Sequence, residues 1–230
     1  MHISVLYKDN YFCICEKPPG IISESDGLPS LLSDQIGQAA YPVHRLDQGT
    51  GGVCVLALSR EACTAATNLF QSGKIHKEYL AVITGHPGMN CGKYIDMLYH
   101  DHRTNKTFVV DTERKGVKKA ECDWQLMASV LWENQLLSLV RVKLYSGRTH
   151  QIRVQFASRG FPLVGDRRYG SRIKSDYPSL WSESISFEHP FKKGVSCSAE
   201  SRPAESFPWN LFSSERFIDP SSGELRRPPF

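Results

Sequence analysis

The chain has 230 residues and a mass of 25.9 kDa, enough for a self-sufficient core. With 40% hydrophobic and 23% charged residues it has globular composition, which excludes a disordered chain. A net charge of +4 is compatible with a polyanionic partner without requiring one.

The longest aliphatic run, residues 53–58, is six residues, too short to cross a bilayer. The first ten residues show neither the basic start nor the apolar core of a signal peptide, and the cytoplasm is expected from the cysteine pattern that follows. Seven scattered cysteines, mostly within apolar runs, read as reduced buried thiols. The Cys13-x-Cys15 pair has no second ligand pair at zinc-site spacing, so no metal is expected there.

In chain order, residues 11–16 alternate and end in Lys17-Pro18-Pro19-Gly20, predicting a strand that enters a rigid turn. A short helix is expected over 28–37, with Pro29 tolerated near its start. Residues 53–58 predict a strand covered on both faces. Ser59 then offers an N-cap, Gly73 a stop, and Ala62, Ala65, Ala66, Leu69 and Phe70 an apolar helical stripe over 60–72. Residues 77–84 read as a strand, and 88–116 as weakly patterned with a short strand at 107–110. Strands at 118–127 and 135–145 are expected to pair antiparallel, followed by a helix over 149–158 that Gly160 and Pro162 end. From Pro203 onward lie five of the thirteen prolines, predicting an extended or loose tail. The pattern as a whole predicts one α+β domain on a largely antiparallel sheet.

Three segments carry chemistry. His44-Arg45-Leu46-Asp47-Gln48-Gly49-Thr50-Gly51-Gly52 is a polar loop delivering into an apolar strand. Asp47 is placed to project from it, although an aspartate beside glycine is also an ordinary turn residue. Lys77-Glu78-Tyr79 opens a strand. In Gly147-Arg148-Thr149-His150-Gln151-Ile152-Arg153, the Arg153 guanidinium is rooted among apolar neighbours and needs an opposite charge, which any nearby carboxylate could supply. Between residues 141 and 174 nine basic side chains face one acid, Asp166, which favours a phosphate-tracking surface over a merely solvated face.

Together these segments resemble the RluA family of pseudouridine synthases. Lys17-Pro18-Pro19-Gly20 resembles that family's early turn, and Gly165-Asp166-Arg167-Arg168-Tyr169-Gly170 its Gly-Asp-x-x-Tyr-Gly loop. The resemblance implies a bent, mainly antiparallel mixed β-sheet with flanking helices and a central RNA-binding cleft. It makes residues 1–212 the catalytic domain and 213–230 a tail, with no separate N-terminal RNA-binding domain. Asp47 matches the essential aspartate, Tyr79 the active-site tyrosine, and Arg153 the arginine that pairs with the aspartate. Arg45 matches the arginine linked to base flipping, and Arg148 is a candidate RNA contact. Two departures stand out. Thr50-Gly51-Gly52 replaces the frequent Thr-Ser-Gly, which is expected to remove a hydroxyl and loosen the loop. Gln155 replaces a common histidine and is given no catalytic role.

The reaction implied is isomerisation of uridine to pseudouridine in ribosomal or transfer RNA. The base leaves the sugar at N1, turns, and rejoins at C5, so no redox cofactor, nucleotide or metal is needed. A carboxylate can attack as nucleophile or remove a sugar proton, and the residues alone do not choose between them. The expected partner is structured RNA, with no membrane and no nucleotide cofactor, and the resemblance implies a monomer. An alternative reading is a non-catalytic RNA-binding or RNA-chaperone protein on the same scaffold. A third, an aspartyl hydrolase, would rest on His100-Asp101-His102 as its ligand cluster.

Overall fold

The computed structural model describes all residues except 25, 213–216, 219–224 and 227–230, and of 217–218 and 225–226 the backbone alone. The chain begins with β1 (Ser4–Lys8), β2 (Phe12–Lys17), α1 (Leu28–Ile36), β3 (Tyr41–Pro42), β4 (Gly51–Ala57) and α2 (Arg60–Gln71). Five strands follow: β5 (His76–Thr84), β6 (Cys91–Asp101), β7 (Lys106–Val109), β8 (Val117–Trp132) and β9 (Gln135–Leu144). After α3 (Gln151–Ala157) come β10 (Leu180–Glu188), β11 (Ser196–Glu200), β12 (Phe217–Ile218) and β13 (Leu225–Arg226). The β1–β2, β2–β4, β10–β11, β6–β8 and β8–β9 ladders are antiparallel and the β4–β10 pair is parallel, so the α+β, mainly antiparallel expectation holds. The described residues fall into two compact units: residues 1–78 with 181–203, and residues 79–180 with 204–230.

In the first unit β4 lies between β2 and β10 and is buried along its whole length, which is why its sequence is apolar on both faces. Ala62 and Ala66 of α2 join Val53, Val55 and Phe12 in the core, their small side chains letting the helix approach the sheet. Ser59 caps α2 by accepting from Ala62 N at 3.1 Å, and Gly73 follows its end at φ +70°. Cys13, Cys15, Cys54, Cys122 and Cys197 are buried free thiols.

Asp9 ties distant parts of this unit together. Its carboxylate accepts from Tyr11 N and Phe12 N at 2.8 Å, His189 Nε2 at 2.8 Å and Lys192 Nζ at 2.7 Å. Burial alone would raise its pKa, but the bonds from Lys192, the two amides and His189 prevail and hold it well below the ordinary 3.8. His44 is stacked on Phe70, and its Nε2 accepts from Val55 N at 3.0 Å. Burial first, and then the Lys77 charge, push its pKa from 6.5 down to about 3. Both groups have depressed folded-state values, so each contributes stability that is lost as the pH falls. Urea midpoints are expected to drop from about pH 6.5 downward as unfolded His44 takes up its proton, and faster below about pH 4 as Asp9 joins. His44→Gln should flatten the upper limb, and Asp9→Asn the lower one. Unchanged slopes in both variants would refute this assignment.

The second unit is ordered around β8, which pairs with β9 on one side and with β6 and β12 on the other. The eleven-residue β6 lies in the segment read as weakly patterned, a correction with a clear cause. Its inner face mixes Tyr94 and Leu98 with Asp96 and His100, so alternation is blurred. Those polar groups are partnered: Gln155 Nε2 donates to Asp96 at 2.7 Å, Arg159 makes two 3.0 Å bonds to Asp96, and His100 Nδ1 lies 3.0 Å from Thr107 Oγ1. Gln155 thus clamps α3 to β6, a structural task.

The helix expected from 149 starts instead at Gln151. His150 adopts φ +55° and the turn closes through Gln151 N to Arg148 O at 3.0 Å. Beyond 203, a short 3-10 turn spans Trp209–Leu211, and β12 pairs with β13 and with Ser129 of β8. The rest of the expected loose tail lies outside the described residues.

Candidate active site

In the first unit, the loop between β3 and β4 carries Arg45 and Asp47 and is fastened to the turn after β2. Gly20 N donates to Gln48 O at 2.8 Å, Gln48 Nε2 returns a bond to Gly20 O at 3.0 Å, and Ser23 Oγ bridges the amide and carbonyl of Leu46. Lys17 is fully buried, and its ammonium donates to the carbonyls of Pro18, Ile21 and Gln48 at 3.1, 2.8 and 3.2 Å. Burial lowers its pKa to about 8, with Cys54 and the Asp47 carboxylate opposing the shift. The loop is therefore braced on both flanks of Asp47, and Thr50 N closes a turn onto Asp47 O at 2.9 Å. Arg45 is exposed and ion-paired to Glu24 at 2.7 Å, a contact that ties this arginine to the segment after β2.

Gly51 overturns the expectation of a loosened loop. It is the buried first residue of β4, and a Cβ there would stand 2.3 Å from Trp181 Cζ3 and 3.0 Å from Pro19 Cδ. The indole fills the space a serine would need, and its Nε1 is anchored on Ser201 O at 3.1 Å. Gly52, at φ +106°, meets the Ser182 backbone equally closely. Gly51→Ser is expected to cost about 1–3 kcal/mol of stability, measured by urea denaturation. Trimming the indole in Gly51→Ser/Trp181→Val should make the serine nearly neutral relative to Trp181→Val alone. An equal penalty in both backgrounds would contradict the packing argument.

In the second unit, Arg153 sits on α3 between buried Ile152 and Val154 and is 7% exposed. Its Nε and Nη2 donate to Asp166 Oδ2 and Oδ1 at 2.6 and 2.9 Å, a bidentate buried pair. Asp166 is fixed by the loop that follows it: Tyr169 N and Ser171 N donate to its carbonyl at 3.1 and 3.0 Å. The Tyr169 ring lies 5.2 Å below the Arg153 guanidinium. The Tyr169 oxygen accepts from Thr107 N at 2.8 Å and lies 3.0 Å from His150 Nδ1, and burial raises its pKa. Beside this pair is a polar cavity of about 400 Å³ lined by Arg153, Asp166, Arg167, Arg168, Ser175 and Asp176.

The sequence-predicted residues thus divide between the units. Asp47 and Arg45 share one loop of the first; Tyr79, Arg148 and Arg153 belong to the second. Tyr79 is buried in β5. Arg148 is exposed, with Nε donating to Lys119 O at 3.0 Å, where β9 has ended. Sequence reasoning did not single out Asp166 as a partner of Arg153, although its isolation among nine basic residues was a usable signal. His100-Asp101-His102 is a hairpin end: the Asp101 carboxylate accepts from Arg103 N and Thr104 Oγ1 at 2.9 Å. Among the described residues no group of three His, Cys, Asp or Glu could hold a metal ion.

Residues 11–158 match the RNA pseudouridylate synthase family. A tRNA pseudouridine synthase C of Pasteurella multocida is 30% identical over 217 residues, 83% of this chain and 87% of that protein. The dual-specificity RNA pseudouridine synthase RluA of Haemophilus influenzae is 26% identical, over 82% of this chain and 88% of its own length. In fold, the human RNA pseudouridylate synthase domain containing 1 superposes with a TM-score of 0.76 at 22% identity, covering 88% of this chain and 84% of the other. The chain belongs to the RluA-type family of RNA pseudouridine synthases, which are isomerases.

Proposed function

We propose that this protein converts specific uridines to pseudouridine in ribosomal or transfer RNA, with Asp47 as the essential carboxylate. The observation that supports this most is the aspartate loop itself, held from both flanks by Lys17, Gly20 and Ser23 within a chain of this family. In the reaction the C1′–N1 bond breaks, the uracil turns, a C1′–C5 bond forms, and the C5 proton departs while N1 regains one. An ionised Asp47 serves either entry to this sequence, by attack on the sugar or by removal of a sugar proton. Arg153, held by Asp166 and Tyr169, is the arginine of the proposed catalytic set on the strength of the family resemblance. Tyr79 supplies a ring to stack on the uracil and a phenolic oxygen for the C5 proton.

The glycosidic bond of a stacked uridine is hidden, so the nucleotide must be extruded at a cost of a few kcal/mol. Arg45, exposed at the loop tip, enters the vacated space after leaving Glu24, an exposed pair worth little. Arg148 holds backbone phosphate. The isomerisation is balanced without a cofactor, and the protein works as a cytoplasmic monomer on structured RNA.

The test is incubation of purified protein with ribosomal and transfer RNA transcripts, followed by carbodiimide treatment and reverse transcription to locate pseudouridine. Stops at discrete uridines are expected. Salt-sensitive RNA binding with no modified uridine would instead support the non-catalytic RNA-binding reading.

A further inference from the structure

In the second unit, the strands β7, β6, β8 and β9 lie in that order and present one face away from α3. The pleat sends Leu98, Val109 and Ala120 inward against Val154 and Tyr169. The opposite parity carries Phe108, Tyr99, Met97, Ile95 and, just past β9, Tyr145. Ile95, Phe108 and Tyr145 are 51%, 41% and 48% exposed, far more than a strand needs for its own stability.

A cation stands over every ring of this face. Arg114 lies 4.5 Å from the Tyr99 centroid; Lys106, at the β7 edge, lies 5.6 Å from the centroids of both Phe108 and Tyr169; and Lys93 and Lys143 lie 5.4 and 5.6 Å from that of Tyr145. The strand positions of this face carry five cations (Lys93, Lys106, Lys119, Arg141 and Lys143) and three carboxylates (Asp101, Glu121 and Asp123), a net of +2. Two of those carboxylates are already engaged by lysines, and Asp101 by its own turn.

We propose that this outer face is a platform for a single-stranded segment of RNA, binding it by ring stacking and phosphate contacts without reading its sequence. The pairing of rings with cations decides the occupant. A protein partner covering these rings would have to desolvate the lysines above them, and lysine is depleted from protein interface cores. A nucleic-acid strand gives a base to each ring and a phosphate to each cation. The spacing suits a strand: Tyr99 and Tyr145 are two strands and four residues apart, about 16 Å at standard sheet dimensions, enough for several nucleotides. The platform rests on the reading of RNA as substrate, yet it is a separate surface with its own residues, so the two can fail separately.

The probe is a fluorescent twelve-nucleotide oligocytidylate, which contains no uridine to isomerise, followed by anisotropy. The wild-type protein is expected to bind it with salt-dependent affinity. Phe108→Ala/Tyr145→Ala should weaken binding about tenfold or more, while Phe108→Tyr/Tyr145→Phe, which keeps both rings, should not. Lys106→Gln/Lys143→Gln should make the salt dependence shallower. Asp47→Asn should bind like wild type; if wild type fails to make pseudouridine but this pattern holds, the platform stands and the enzymatic reading falls. Wild-type binding by the double alanine variant, no binding by wild type, or a loss in that variant confined to a protein partner would each overturn the platform.

Discussion

Asp47→Asn is expected to lower pseudouridine formation by at least about a thousandfold under single-turnover conditions, because an amide can neither attack the sugar nor take its proton. RNA affinity should change by no more than a few fold, since phosphate contacts elsewhere carry it. The fold should survive, because the turn at this position is closed through the Asp47 carbonyl and the loop is fastened through Gln48 and Leu46. A second consequence is local. The Asp47 charge opposes the downward shift of Lys17, so its removal should take the Lys17 pKa below about 8. A variant that unfolds, or one that keeps its activity, would each refute a different part of this account.

The second large effect concerns the pair of Arg153 and Asp166, 7% and 1% exposed. Arg153→Leu and Asp166→Leu each strand a buried charge and are expected to cost about 3–5 kcal/mol in urea denaturation. The double variant Arg153→Leu/Asp166→Leu should recover much of that loss, since replacing both partners of a buried pair by apolar groups is often near neutral. Its pseudouridine formation should remain abolished. Stability and activity would thereby separate: a purely structural Arg153 would regain both, a catalytic one only the first. Single-variant costs under about 1 kcal/mol would contradict the burial argument.

What was legible in the sequence is what neighbouring residues decide. The Ser59 cap, the alanine stripe of α2 and the two-sided apolar run of β4 all act over a few positions, and each element lies where those residues place it. The aspartate loop was legible as a motif, and its flanking glycines as places of close approach. The reason Gly51 must lack a side chain was not, because the occupant of that space, Trp181, lies far along the chain. β6 was hidden because its half-buried carboxylate and imidazole are satisfied by α3 and β7, partners that no local pattern announces. Lys17 read as the start of a turn, and its full burial became visible only with the three carbonyls that converge on it. That Arg153 needs a carboxylate follows from its apolar neighbours; that Asp166 is its bidentate partner is a matter of tertiary structure.

The most direct measurement is a transcriptome-wide map of pseudouridine in cells of the source organism lacking this protein, complemented with wild type or with Asp47→Asn. The account predicts that one or a few defined positions in ribosomal or transfer RNA lose the modification, regain it with wild type, and stay unmodified with the variant at equal protein level. Restoration of those positions by Asp47→Asn, or a map indifferent to the protein, would contradict it.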